Sequence, residues 1–177
     1  LRLRNAPTED VQKAIKRQEL PCYYVSCYCE NDGHGSRSLN DMLYHTGLIA
    51  LDLDGIGENI YEIIKELISW PQVAYCSLSC RGNGLFAIFR VDDTSRHAEF
   101  YENTFPEICN ELGITSNFDS SVKNINRLRF VTSDQDYYIN DFPKPIRLPR
   151  KKIYHYFNAD YIKNSNYSES KHSKIQK

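Results

Sequence analysis

The sequence predicts an α+β domain built on an antiparallel sheet, and two observations carry that prediction. Stretches with strand-like and helix-like apolar spacing follow one another in the order β-α-β-β-α-β between about residues 47 and 132. The dipeptide Asn83-Gly84, between the second and third strands of this series, is a strong hairpin signal, so these two strands must run antiparallel. The order is that of the ferredoxin-like unit, which RNA-recognition folds also use. It predicts a sheet with strand order 4-1-3-2 and both helices on one face.

The elements of this core follow from local patterns. Ile60, Ile63 and Leu67 share one helical face before Pro71 breaks the helix, and Ser95 is a candidate cap for a second helix in which Pro106 is a kink or interruption. The predicted bounds are strand 47–53, helix 57–70, strand 72–79, strand 84–91, helix 95–113 and strand 127–132.

An extra helix and strand are predicted ahead of the core. Residues 8–18 carry a helical stripe with Thr8 as a possible N-cap, and Pro21 ends this helix. A strand rich in tyrosine and cysteine follows at 22–29, and then a short helical turn at 39–44.

The length and the charge distribution predict one domain followed by a basic tail. The chain has 177 residues with a net charge of −1, which suits a single domain. Residues 144–177 contain nine Lys or Arg against two acidic residues, which leaves 13 basic and 21 acidic residues in the rest. We therefore predict a domain at 1–142, with its core at 47–132, and a basic linker at 143–177 that leads toward an absent downstream domain.

The sequence also predicts a location. No segment is apolar enough to cross a membrane or to act as a secretory signal, so we expect a cytoplasmic protein with no membrane partner. Because the first residue is not Met, we expect a piece of a longer polypeptide. The six cysteines are expected to be reduced. Zinc at Cys27-x-Cys29 with His34 and His45 is a weak alternative, since this spacing matches no common structural site.

The first candidate catalytic residues lie at the end of the first core strand. In Ile49-Ala50-Leu51-Asp52-Leu53-Asp54 the alternation of a strand places Asp52 and Asp54 on one face and the apolar residues on the other. A turn explains Asp54-Gly55, but it does not explain Asp52 inside an otherwise apolar strand. We expect metal or catalytic chemistry from this pair.

The hairpin after the second strand is a candidate phosphate site. Ser77 and Ser79 are expected on the same open face as the aspartates, Gly82 would let backbone N–H groups approach an anion, and Arg81 would bind a phosphate. A plain tight hairpin with an exposed arginine is an equally good interpretation.

A third carboxylate, Asp119, precedes the last core strand. The predicted topology carries it toward Asp52 and Asp54, and three carboxylates suit Mg²⁺ or Mn²⁺. Lys123 and Arg127 follow Asp119, and they are the candidates to orient a nucleotide in the reaction that the resemblance described next implies.

These motifs resemble those of the archaeo-eukaryotic primase superfamily, and within it the primase-like domain described as VirE N-terminal, found in proteins of mobile elements and phages. Ala50-Leu51-Asp52-Leu53-Asp54 matches the first motif of that superfamily and Phe118-Asp119 matches the third. The second motif, usually Ser-x-His, departs here: Ser79 fits, but no histidine follows, and Phe86 lies near its expected place. The resemblance covers about residues 20–140.

The resemblance implies a DNA primase or primase-polymerase that carries out metal-dependent nucleotidyl transfer. Asp52, Asp54 and Asp119 would hold Mg²⁺ or Mn²⁺, and the partners would be nucleoside triphosphates, a single-stranded DNA template and a helicase or other domain. One alternative is a nucleic-acid or nucleotide-binding module that has kept the fold without catalysis. Another is a haloacid-dehalogenase-type phosphatase using Asp52 and Asp54, which the antiparallel hairpin disfavours because that family builds a parallel sheet.

Overall fold

A computed structural model describes residues 2–30, 38–118 and 123–148 of the chain. It is an α+β fold with antiparallel sheets, as the sequence predicts. The strands are β1 (Cys22–Tyr24), β2 (Cys27–Cys29), β3 (Met42–His45), β4 (Leu48–Leu53), β5 (Val73–Leu78), β6 (Leu85–Arg90), β7 (Leu128–Phe130) and β8 (Tyr138–Ile139). The helices are α1 (Glu9–Glu19), α2 (Ile60–Ile68), α3 (His97–Glu99) and α4 (Phe105–Glu111).

The central sheet contains four strands in the order β4-β6-β5-β8, and each neighbouring pair is antiparallel. The predicted hairpin between β5 and β6 is confirmed, with Leu78 opposite Leu85 at its closed end. The predicted side-by-side order of the first, third and second core strands is also confirmed.

The place of the fourth core strand differs from the prediction. Leu128–Phe130 pairs with β1 in a separate two-stranded sheet, and β8 takes the far edge of the central sheet beside β5. The outer edge of β4 is instead engaged by other groups: the Tyr101 hydroxyl donates to the Ala50 carbonyl at 2.8 Å, and Phe118 bridges to Leu53. Part of this edge is therefore already hydrogen-bonded, and the specific 4-1-3-2 order is not formed.

The main core lies between the central sheet and the helices. Ile49, Leu51 and Leu53 of β4 are fully buried there with Leu67 of α2 and Phe105 of α4. The opposite face of the sheet is covered in part by a second, smaller cluster of Val25, Ala50 and Phe86. The strand alternation predicted for β4 is thereby confirmed on its apolar side.

The N-terminal segment follows the prediction in its helix and departs from it afterwards. Thr8 caps α1, and its Oγ1 accepts a hydrogen bond from the Val11 N–H at 3.3 Å. The tyrosine- and cysteine-rich stretch is divided into β1 and β2, which pair with different partners. The predicted helical turn at 39–44 is a 3₁₀ turn only at Leu39–Asp41, and the rest of it is strand β3.

The second core helix is interrupted at the predicted proline. A π-helical turn at Phe100–Thr104 separates α3 from α4, and the Phe105 N–H donates to the Phe100 carbonyl five residues back. Pro106, which has no N–H to donate, follows at the start of α4. Asp93, rather than Ser95, caps the turn ahead of α3 by accepting from the Ser95 N–H.

Beyond β8 the chain stays packed on the domain as far as it is described. Ile146 forms a parallel bridge with Val91, and Leu148 is buried in the main core. Residues 149–177, which include most of the predicted basic tail, lie outside the described residues. Within the described ranges, no helix has the length and apolar character needed to cross a bilayer.

Candidate functional site

Asp52 lies on the sheet face opposite to the one that packs against α2 and α4. It is opposite Phe86 on β6, and Phe86 is opposite Ser77 on β5, so the three side chains form one row across the sheet. Asp54 follows at the exposed end of β4. Phe86 therefore lies in the row between the first aspartate and the hairpin strand.

A buried arginine neutralises Asp52. The Arg129 Nη1 lies 3.0 Å from Oδ2 of Asp52, and the Arg129 side chain is only 7% exposed. Its guanidinium lies 5.7 Å from the centre of the Phe86 ring. Burial raises the pKa of Asp52; the positive charge of Arg129 opposes this, and the negative charge of Asp54 adds to it.

Close backbone packing brings the hairpin turn to the end of β4. A Cβ at Gly84 would lie 2.1 Å from the Leu53 carbonyl oxygen, so only glycine fits there. The Ile56 N–H also donates to the Asn83 carbonyl at 3.3 Å. This packing places Arg81 beside the β4 end, with its Nη2 4.0 Å from Oδ1 of Asp54.

These residues line an open cleft of about 780 Å³. Its described lining contains two carboxylates, Asp52 and Asp54, and five basic side chains. The basic residues are Lys16, Arg17, Arg81, Arg127 and Arg129. The formal excess of three positive charges favours an anionic ligand, and the carboxylates within it provide hard oxygen ligands for a cation.

The hairpin contributes less to this cleft than the sequence predicts. Ser79 and Arg81 line it, but Ser77 is 1% exposed and its hydroxyl donates to the Leu78 carbonyl. Ser77 therefore lies on the predicted sheet face, in the row with Phe86 and Asp52, but its side chain is buried and not open to the cleft. Gly82 is not among the cleft-lining residues, and its N–H is used in the turn, where it donates to the Ser79 carbonyl at 2.9 Å.

Lys123 and Arg127, the two predicted site residues that follow Asp119, lie in different places. Arg127 lines the cleft. Lys123 does not: its Nζ lies 2.9 Å from Oε1 of Glu102, next to the π-helical turn. The structure thus brings Asp52, Asp54, Ser79, Arg81 and Arg127 together, and leaves Ser77, Gly82 and Lys123 out of the lining.

Asp119 lies outside the described residues, so the predicted third carboxylate is not part of this geometry. The residues just before it approach the end of β4. Phe118 bridges to Leu53, and the Asn117 side chain donates to the Asp54 and Gly55 carbonyls at 2.8 and 3.0 Å. Across the described ranges, no group of three or more His, Cys, Asp or Glu side chains is arranged to hold a metal ion.

Sequence reasoning missed three of the basic residues in the cleft. Lys16 and Arg17 belong to the last turn of α1, where the sequence shows only an amphipathic helix. Arg129 alternates with Leu128 and Phe130, and that alternation could have marked it as facing the aspartates. Its burial and its pairing with Asp52 depend on tertiary packing, for which the local sequence gives no signal.

A second polar feature, a histidine pair, lies outside this cleft. His45 Nε2 is 2.9 Å from His97 Nδ1, and His45 Nδ1 accepts from the Gly47 N–H. The neutral His45 must therefore carry its proton on Nε2 and donate it to His97. Burial and the neighbouring His45 lower the pKa of His97 to about 4.

Comparison with known proteins gives one family. The family model described as BT4734-like, N-terminal domain, matches residues 15–139, which include both described aspartates and the whole central sheet. No curated protein and no solved structure matches the chain.

Proposed function

We propose that this chain, which belongs to the family of BT4734-like N-terminal domains, is a primase or primase-polymerase domain that catalyses metal-dependent nucleotidyl transfer. Its substrates are nucleoside triphosphates on a single-stranded DNA template, in the replication of a mobile element or phage. The observation that carries the proposal is the position of Asp52 and Asp54 in a cleft where the other charged residues among those the structure describes are all basic. A helicase or another domain is the expected partner in a longer polypeptide.

The charge pattern suits a nucleotide better than a neutral substrate. A triphosphate brings several negative charges, which the five basic side chains attract. Carboxylates in the same cleft would repel that ligand unless divalent cations lie between them, and this is how phosphate-transferring sites commonly use Mg²⁺. The arrangement therefore favours a ligand that arrives together with metal ions.

The ion pair with Arg129 is compatible with metal binding at Asp52. Arg129 contacts Oδ2, and a carboxylate has a second oxygen that can accept a cation. In the proposed site Arg129 orients the Asp52 carboxylate, and Oδ1 would be the oxygen that remains to hold a metal ion. Asp119 follows Phe118, which bridges to β4, and we propose it as the third ligand.

When bound, Mg²⁺ or Mn²⁺ lowers the pKa of the attacking 3′-hydroxyl and neutralises charge on the leaving pyrophosphate. The chain's own residues hold and orient the reactants. Arg81 and Arg127, with Ser79, bind the phosphates, and Lys16 and Arg17 extend the positive surface on the α1 side of the cleft.

The test is incorporation of labelled nucleotides with Mn²⁺ on single-stranded DNA. Asp52→Asn should reduce incorporation by about 100-fold or more, the scale on which loss of one preorganised electrostatic group acts, while circular dichroism shows a folded domain. Asp141→Asn is the matched control, because Asp141 is exposed and does not line the cleft. Wild-type incorporation by the Asp52→Asn variant would refute the proposal.

A second candidate function, binding of nucleic acid or nucleotide without catalysis, is favoured by the 3.0 Å ion pair itself. If Arg129 permanently satisfies Asp52, the cleft binds phosphates and no metal is needed. The two functions differ in two measurements. Salt-sensitive binding of single-stranded DNA with no incorporation under any metal or template supports the binding module, whereas incorporation supports the transferase.

A further inference from the structure

We propose that Cys27 and Cys29 form a redox-active dithiol, which hydroperoxides or small disulfides convert reversibly to an intrachain disulfide. The two sulfur atoms lie 3.6 Å apart, on the first and last residues of β2, and neither residue lines the cleft. This site is independent of the proposed function.

The two sulfur atoms lie closer together than the spacing of Cα atoms along a strand. In a regular strand, side chains at i and i+2 point to the same face, but their Cα atoms are about 6.5 Å or more apart, near the upper limit for a disulfide. In the β2–β3 pairing Tyr28 is opposite Tyr44 and Cys29 is opposite Met42, so the extra residue of this bulge, Leu43, lies on β3. The sulfurs, already 3.6 Å apart, need to approach by only about 1.6 Å to reach the bonded distance of about 2.05 Å.

The two thiols differ in access to solvent, which assigns their order of reaction. Cys27 is 3% exposed and Cys29 is partly exposed. Burial and the neighbouring Cys29 raise the pKa of Cys27 to about 12, so Cys27 is a poor first nucleophile. Cys29 is the thiol that meets the oxidant, and Cys27 is the resolving thiol.

The reaction with a hydroperoxide balances in two steps. The Cys29 thiolate attacks the peroxide oxygen; the O–O bond breaks, Cys29 becomes a sulfenic acid, and the peroxide leaves as water or an alcohol. The Cys27 sulfur then attacks the Cys29 sulfur, the S–O bond breaks, and water leaves with the proton from the Cys27 thiol. Two thiols lose two electrons in total, and the peroxide gains them.

The location gives the oxidation a structural consequence. Cys27 is opposite His45 in the β2–β3 pairing, and His45 in turn contacts His97. Formation of the Cys27–Cys29 disulfide would draw Cys29 toward the buried Cys27. We therefore expect the end of the β2–β3 ladder at which Cys29 is opposite Met42 to move.

The test is oxidation of the folded chain with hydrogen peroxide, and separately with glutathione disulfide, followed by alkylation and peptide mass spectrometry. We expect a peptide about 2 Da lighter in which Cys27 and Cys29 resist alkylation until dithiothreitol is added. Cys22→Ser is the matched control: Cys22 is exposed, lies in the same tryptic peptide and should not affect the disulfide. Cys29→Ser should abolish it.

A second measurement does not depend on an oxidant. Phenylarsine oxide, which bridges two adjacent thiols, should bind one per chain to the wild type and to Cys22→Ser, and should not bind to Cys29→Ser. The proposal is overturned if the disulfide or the arsenical adduct persists in Cys29→Ser. It is also overturned if peroxide carries Cys29 of the wild type to sulfinic acid without forming the disulfide.

Discussion

The buried histidine pair predicts a loss of stability in mild acid. His97 is 4% exposed, and its Nδ1 accepts the proton that His45 Nε2 donates at 2.9 Å. A proton added to His97 Nδ1 would face that donor directly, in a site where burial already disfavours charge. Folding therefore holds the pKa of His97 near 4, below its ordinary value of 6.5.

The sign and size of the effect follow from these two values. Because the folded pKa is depressed, the stabilisation by neutral His97 is fully present above about pH 6.5 and is lost as the pH falls toward 4. The difference corresponds to a loss of up to about 3 kcal/mol in the free energy of unfolding across that window. Below pH 4 His97 contributes no further loss.

The assay is urea unfolding of the wild type and of His97→Asn at several values between pH 7.5 and 4.5. Asparagine keeps an acceptor for His45 Nε2 and cannot titrate, so the variant should be less stable at pH 7.5 and should lose less on acidification. Asp52, whose pKa is raised, acts in the opposite direction in both proteins and therefore cancels in the comparison. Equal pH dependence in the two proteins would refute the assignment.

Three further predictions concern contacts that hold the cleft together. In Gly84→Ala the new Cβ would lie 2.1 Å from the Leu53 carbonyl oxygen, so this variant should lose about 2 kcal/mol or more of unfolding free energy. Asn83→Ala, at the neighbouring exposed position, should lose little. Equal losses in the two variants would contradict the close packing of Gly84 on Leu53. Arg129→Met should lower the free energy of unfolding by about 3 kcal/mol, because it leaves the half-buried Asp52 carboxylate without its partner. Adding Asp52→Asn should restore part of that loss. A double variant with no recovery would contradict the pairing. Tyr101→Phe removes the hydroxyl that donates to the Ala50 carbonyl and should lower stability by about 1 kcal/mol in denaturant unfolding, and an unchanged midpoint would show that the β4 edge does not need it.

Local patterns were sufficient to predict the parts of the fold that short-range chemistry determines. Thr8 caps α1, the apolar residues of β4 face α2 and α4, and a glycine-containing loop closes the β5–β6 hairpin, with Gly82 at a φ of 82°. Each of these depends on a cap, a period-two alternation or a turn residue that the sequence displays directly.

The partner of β7 could not be predicted in the same way. Its three residues pair with β1, more than 100 positions earlier in the chain, and the edge of β4 that they were expected to join is occupied partly by the Tyr101 hydroxyl and by Phe118. The contacts at the β4 edge depend on how the chain from α3 to Phe118 packs against the central sheet. The order of the elements along the chain does not determine this packing.

Only part of the candidate site could be predicted, because some of its residues are placed by local patterns and others by tertiary packing. The alternation around Asp52 and Asp54 and the turn at Arg81 are local signals, and these residues do line one cleft. Ser77 was predicted on the correct sheet face, but tertiary packing buries it to 1% exposure. Arg129, Lys16 and Arg17 reach the cleft only through tertiary packing, so the excess positive charge of the site was not visible in an acidic sequence.

The proposed nucleotidyl transfer requires Asp52, Asp54 and Asp119 to share a divalent cation. The direct measurement is anomalous scattering from a crystal soaked with Mn²⁺ and a non-hydrolysable nucleoside triphosphate. We predict a manganese peak within coordination distance of carboxylate oxygens of all three residues, with the phosphates toward Arg81 and Arg127. Nucleotide bound in the cleft with Arg129 still on Asp52, and with no manganese at any of the three aspartates, would contradict it.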